Sequence, residues 1–154
     1  MNQNRRSPRL GSPPHGEATL RLYHRRARPP ASDVNELYGV VGWNEEGERT
    51  LEKTTAALGR SLAVVTARIS GELVGFGRLI GDSYTAQVID VMTHPSFRRQ
   101  GIARAVLTTL LEFARGRYLG VYLIDGSGIP GLYERHGFEP ANPASDRLMY
   151  WTRP

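Results

Sequence analysis

The stretch from Gln87 to Phe113 changes its hydrophobic spacing part-way along, and this predicts a strand, a turn and a helix in that order. Val88, Ile89 and Val91 favour extended backbone, and Pro95 has no N–H with which to continue a ladder. From Ile102 the period changes. Ile102, Val106, Leu110 and Ala114 recur at every fourth position, with Ala103, Leu107 and Leu111 beside them, so one side of a helix is apolar. The joint between strand and helix reads Arg98-Arg99-Gln100-Gly101-Ile102-Ala103. A helix start leaves backbone N–H groups unpaired at the positive end of its dipole. Gly101 permits close approach to the backbone, Ala103 keeps the next turn low, and the arginines add charge-assisted donors. The pattern suits a phosphate or pyrophosphate; the alternative is a solvated basic turn.

The remaining elements follow from similar signals. Ala18–Arg26 alternates as a first strand and Pro29-Pro30 ends it. Ser32 or Asp33 is expected to cap a helix through Val34, Leu37 and Tyr38, and a second helix is expected over Glu45–Leu58. Ser61–Ile69 and Leu73–Ile80 read as a hairpin around Ser70-Gly71, followed by the Gln87 strand. Tyr118–Ile124 is a continuous apolar run, as expected of a strand buried on both faces. Ser127 and Pro130 suit the start of a short helix through Leu132–His136, and Arg147–Thr152 reads as a last strand. The predicted order, β α α β β β α β α β, is a mixed sheet flanked by about four helices.

Composition removes several function classes. Cysteine is absent among the 154 residues, which excludes disulfides, thiolate metal sites and a cysteine nucleophile. No apolar run reaches the ~18–20 residues needed to span a bilayer, and the first residues lack an apolar signal core. A cytoplasmic protein without a bound metal fits. The formal net charge is +5, but residues 1–28 hold seven arginines against Glu17 alone, leaving 13 basic and 14 acidic residues in the rest. The positive charge therefore belongs to the N-terminal arm and first strand, which argues against a nucleic-acid-binding domain. Residues 1–17 are expected to be a flexible basic leader, and residues 18–154 a single domain.

The element order, with Arg98-x-x-Gly101-x-Ala103 between the fourth strand and third helix, resembles the GNAT N-acetyltransferase superfamily. Two further segments resemble it: Gly131-Leu132-Tyr133-Glu134-Arg135-His136-Gly137-Phe138, and His94-Pro95 just before the arginine turn. The resemblance implies a mostly antiparallel sheet with splayed central strands and acetyl-coenzyme A as co-substrate. It implies that Arg98, Arg99, Gln100, Gly101, Ile102, Ala103 and Arg104 hold the pyrophosphate, and that Val91, Met92 and Thr93 present a strand edge to the pantetheine. A main-chain N–H near Val91 or Met92 would face the thioester oxygen. Where many relatives have an Asn toward the pantetheine, this chain has Asp125-Gly126-Ser127-Gly128, and Ser127 or its backbone is expected to take that contact.

The chemistry needs an acid for the leaving thiolate and a route for the amine proton. Tyr133 is the candidate acid, since a phenol is protonated at neutral pH; the alternative is an aromatic packed on Leu132 and Phe138. Asp90 is the candidate base, a carboxylate between apolar neighbours; the alternative is a buried partner of Arg78. Strand alternation puts Ala86, Val88, Asp90 and Met92 on one face and Ile89 and Val91 on the other. Glu36, Tyr84 and His94 are weaker candidates for the base, and a water chain would also serve. Asp33, Glu36, Glu45, Glu46 and Glu48 make the first-helix region acidic, and Trp43 and Trp151 are candidate pocket aromatics. The leading reading is transfer of acetyl from acetyl-CoA to the primary amine of a small molecule, with homodimer formation compatible. A protein or peptide acceptor, and a non-catalytic CoA-binding sensor, are the alternatives.

Overall fold

The computed structural model describes residues 16–141. The expected leader (apart from its last two residues), the last strand at Arg147–Thr152 and Trp151 lie outside the described residues. The chain divides into two compact units, Met1–Leu123 and Ile124–Pro154.

The first unit is built on a five-stranded sheet: β1 (Thr19–His24), β2 (Ala63–Ile69), β3 (Glu72–Gly81), β4 (Thr85–Thr93) and β5 (Gly120–Tyr122). The strands lie in chain order; β1 to β4 pair antiparallel and β4 pairs parallel with β5. The β2–β3 hairpin closes through Ser70 and Gly71, both at positive φ, the twist that a two-residue hairpin requires.

Three helices cover the sheet: α1 (Ala31–Val40), α2 (Leu51–Arg60) and α3 (Ile102–Ala114). On one face Phe76 packs in a buried cluster with Val34, Leu37 and Tyr38 of α1 and Leu58 of α2. On the other face α3 lies against the glycines that flank Phe76 along β3. A Cβ on Gly75 would stand 2.3 Å from Ile102 Cγ2, and one on Gly77 2.8 Å from Val106 Cγ1. The apolar stripe read from the sequence is the one that packs: Ile102, Val106, Leu107, Leu110 and Ala114 are all buried.

Several boundaries differ from expectation, each for a local reason. Helix α1 starts at Ala31 with Pro30 at its cap, because Asp33 turns to pair with Arg68 and Ser32 bonds to Asp33. Helix α2 starts at Leu51 rather than Glu45; the Thr50 side chain accepts from Lys53 N–H, and Asn44 and Gly47 (φ 70°) shape a turn before it. Ser61 caps the end of α2 instead of opening β2. Strand β5 spans three residues and is not buried on both faces, since Leu119 is 86% and Tyr122 54% exposed. In the second unit the expected short helix is a 3-10 turn at Glu134–His136, entered through Gly131 at φ 71°.

The strand alternation also fails at one place. Arg78 pairs with Ile89 and Phe76 with Met92, so two steps along β3 match three along β4, and Gly77 faces both Asp90 and Val91. This is a β-bulge, with Asp90 at φ 53°. Directly opposed residues share a face, so Ile89 and Met92 lie with Arg78 and Phe76, while Val88 lies with Leu79. The extra residue moves Asp90 away from the Val88 face on which alternation had placed it.

The closeness of α3 to β3 gives a test of the fold. Gly75→Ala should lower stability by about 1–3 kcal/mol through overpacking against Ile102, read from the midpoint of urea denaturation.

Candidate active site

From Val88 on, through the bulge, β4 has an edge without a partner strand among the described residues. Strand β5 pairs only with Thr85, Ala86 and Gln87, so Val88 to Thr93 have no register partner on that side. The pairing ends where the three-residue β5 ends, and the bulge that follows bends β4 and increases its twist. Thr93 Oγ1 is buried without a hydrogen-bond partner at the end of this edge.

The chain then makes a 3-10 turn at Pro95–Phe97, held in three ways. His94 N–H donates to Val74 O at 2.8 Å, Ser96 N–H donates to His94 Nδ1 at 3.1 Å, and Phe97 is buried. His94 Nε2 lies 3.7 Å from Glu72 Oε1. These contacts give His94 a structural task in placing the loop. Arg98 and Arg99 follow, both exposed, with Arg99 at φ 59°.

Gly101 is the N-cap of α3 at φ 80°, and no side chain caps the helix. A Cβ built on Gly101 would meet nothing within 4 Å. Glycine is therefore required there by its backbone angle, with open space in front of it. Ile102 is buried and Ala103 is half-buried, and the N–H groups of the first helical turn have no intrahelical partners. The arrangement can take an anion.

Asp90 has a different environment from the one a free base needs. Its Oδ2 accepts from Arg78 Nε at 2.7 Å and from the Tyr38 hydroxyl at 2.7 Å. The ion-paired side chains of Arg78 and Asp90 are 14% and 16% exposed. Burial, followed by the charge of Asp90, pushes the Tyr38 phenol well above its ordinary value, so it stays a donor. The alternative reading of Asp90, a partner of Arg78, is the contact that forms; Tyr38, 52 residues away, gives no signal in the sequence.

In the second unit, Tyr133 leads the 3-10 turn, and its ring meets Phe138 edge-on at 6.1 Å. Burial first, then the negative charge of Asp125, raises its pKa from the usual 10.0, which keeps the phenol protonated. Ser127 is engaged locally: its hydroxyl donates to Asp125 Oδ1 at 2.7 Å and accepts from Ile129 N–H at 3.1 Å. Glu36 and Tyr84 are exposed.

A family model described as an acetyltransferase (GNAT) domain matches residues 59–140. The chain belongs to the GNAT acetyltransferase family. A mycothiol acetyltransferase of Geodermatophilus obscurus is 36% identical over 105 residues, covering 67% of this chain and 33% of the relative's own length. The histone acetyltransferase TAP1 of Glycine max is 28% identical over 132 residues, covering 77% and 55% respectively. The chain thus spans a third to about half the length of these two relatives. Among solved structures, the GNAT family protein SP0256 of Streptococcus pneumoniae superposes with a TM-score of 0.71 at 27% identity, covering 88% of this chain and 98% of that one. A glucosamine-6-phosphate N-acetyltransferase of Arabidopsis thaliana shares the fold, with a TM-score of 0.64 at 14% identity over 87% of this chain and 99% of that one.

Acetyl-coenzyme A is the co-substrate that fits this family, and features of the first unit suit it. These are the uncapped, glycine-led start of α3, the exposed Arg98 and Arg99, and the unpaired edge of β4 with its orphaned Thr93 hydroxyl. Among the described residues, no group of three or more His, Cys, Asp or Glu could hold a metal ion, and no helix is long and apolar enough to cross a membrane.

Gly101→Val should separate folding from binding. Forcing a β-branched residue to positive φ should cost about 1–2 kcal/mol of stability, while affinity for coenzyme A, measured by calorimetry, should fall at least about tenfold as side-chain bulk enters the anion site.

Proposed function

We propose that this GNAT chain is a cytoplasmic N-acetyltransferase that moves an acetyl group from acetyl-CoA directly to a primary amine, most readily that of a small molecule. The observation that carries the reading is the pairing of an unpartnered β4 edge, Val88 to Thr93, with the open, glycine-led start of α3 on the same chain segment. A strand edge can hold an extended ligand by main-chain hydrogen bonds, and a helix start can hold its anionic end. The thioester supplies the activated acetyl group.

In this reading Val91, Met92 and Thr93 line the pantetheine, and Arg98 to Arg104 hold the pyrophosphate through backbone N–H groups and guanidinium charge. Ser127 is the proposed further contact, by its backbone more than by its locally bonded hydroxyl. An N–H of Val91 or Met92 favours the negative charge that develops on the carbonyl oxygen. Tyr133, protonated at neutral pH, donates its proton to the departing thiolate. Asp90 enters as a residue of the same site; its two hydrogen bonds, to Arg78 and Tyr38, favour holding the strand over removing the amine proton.

The acceptor is drawn from the first-helix region. Asp33 is taken by Arg68, but Glu45, Glu46 and Glu48 line a cavity of about 200 Å³ with Trp43 and Asn44. That setting favours a cationic amine over a carboxylic acid. The relatives include both a mycothiol acetyltransferase and a histone acetyltransferase, so peptides belong in the test.

Thiol release from acetyl-CoA, measured against a panel of small amines and peptides, should be fastest with a small cationic amine. No release with any acceptor, despite tight coenzyme A binding, would instead identify a sensor. Tyr133→Phe should lower kcat by about 10–100-fold with KM for acetyl-CoA little changed; unchanged turnover would remove Tyr133 as the acid.

A further inference from the structure

We propose that Arg78, Asp90 and Tyr38 form a positioning cluster that fixes the β4 bulge and thereby the direction of the Val91 and Met92 N–H groups. The inference rests on the reading that this part of β4 is the reaction face.

Asp90 is held at φ 53° inside a strand, an angle uncommon for non-glycine residues, although Asp and Asn adopt it more readily than most. The contacts that hold it come from elements distant in sequence. Arg78 of β3 and Tyr38 of α1 both donate to the same carboxylate oxygen, each at 2.7 Å. Arg78 is itself anchored, with Nη1 donating to Ser61 Oγ at 3.3 Å, and Ser61 Oγ donating to Ala57 O at 2.9 Å at the end of α2. Tyr38 is 4% exposed; the Arg49 guanidinium lies 4.6 Å from its ring centroid, and Phe76 packs edge-on at 6.3 Å. The bulge is therefore tied to β3, α1 and α2 at once.

The lever arm is short. The peptide plane between Asp90 and Val91 turns with the Asp90 backbone angles, so the Val91 N–H points where the carboxylate tether allows. If Asp90 relaxed to ordinary strand angles, that plane would rotate and the donor would leave its place. The tether also explains a negative charge on a strand that is otherwise uncharged. Its charge is met by Arg78, and its second bond comes from a phenol that burial keeps protonated.

Three variants of the full chain separate this role from proton transfer. Asparagine tolerates positive φ and its Oδ1 still accepts both hydrogen bonds, though without the charge that meets Arg78, so Asp90→Asn should lower kcat several-fold less than Asp90→Ala. Asp90→Ala should lower kcat by about 30-fold or more, and Tyr38→Phe by about 5–10-fold, with the Kd for coenzyme A within about threefold in all three, because a misplaced donor harms the transition state and not cofactor binding. In amide NMR spectra, the Val91 and Met92 resonances should shift in Tyr38→Phe while those of Leu107 to Leu110 stay in place. Asp90→Asn as slow as Asp90→Ala would overturn the proposal and make the carboxylate a base. Unmoved Val91 and Met92 amides would overturn it as well, whatever the activities. If the parent releases no thiol with any acceptor, the acetyltransferase reading fails, and the amide shifts alone still decide the tether. Should Asp90→Ala fail to fold, Tyr38→Phe and Asp90→Asn carry the same decision.

Discussion

The two hydrogen bonds that Asp90 accepts, from Arg78 and from Tyr38, join three elements at the point where the sheet changes character. Up to Gln87 β4 pairs with both β3 and β5; from Val88 on, through the bulge, it has no register partner on its outer side among the described residues. A bulge twists and bends the strand that carries it. An exposed strand edge of this kind is normally a hazard that proteins cover or blunt. Here it lies beside the start of α3, where a ligand that is extended and anionic would cover it.

Strand β3 makes this possible by giving its two faces opposite kinds of residue. Gly75 and Gly77 face α3 and let Ile102 and Val106 come within contact of the strand backbone. Phe76 and Arg78 face the other way, into α1 and α2, as core and as anchor. Gly77 serves twice, since it lies under Val106 and also opposite the bulge, with Val91 Cγ2 at 3.6 Å from where its Cβ would be. A larger residue at 77 would push on the helix and on the bulge together. The positions of the α3 start and of the β4 edge are thus set by one short stretch, Gly75 to Arg78.

Local signals made much of this legible. The α3 stripe, its start at Ile102, the Ser70-Gly71 hairpin and the first four strands follow from period and turn chemistry, and they formed where those signals placed them or within a few residues. The losses have a common cause, which is competition from distant partners. Asp33 was an apt cap by type, yet Arg68 of β2 takes its carboxylate. Tyr118–Ile124 had the composition of a buried strand, but only Gly120 to Tyr122 pair, with β4 alone among the described strands, and Leu119, Tyr122 and Ile124 remain exposed. The bulge was invisible to alternation because an inserted residue looks like any other in a β-branched run. Its trace was an isolated Asp between apolar neighbours, a signal that marked the right residue while leaving its task open between base and buried partner.

Charge in the body of the protein shows why such choices need the fold. Arg28 donates to the carbonyls of Leu58, Gly59 and Ser61 and so caps the end of α2, where a cation meets the negative end of the dipole. Arg68 takes Asp33, Arg78 takes Asp90, and Arg49 lies over Tyr38. Each of these arginines is committed to a helix end, a carboxylate or an aromatic ring within the first unit. Arg98 and Arg99 differ in being exposed on a turn beside an uncapped helix start. Guanidinium groups are equivalent in a count of charges along a chain. Those that hold helices and strands together are spent on internal partners, whereas a pair at an open helix start adds its field to the unpaired N–H groups there. The proposed anion site therefore rests on where two exposed cations meet an uncapped helix start, and the net charge of the chain carries no information about it.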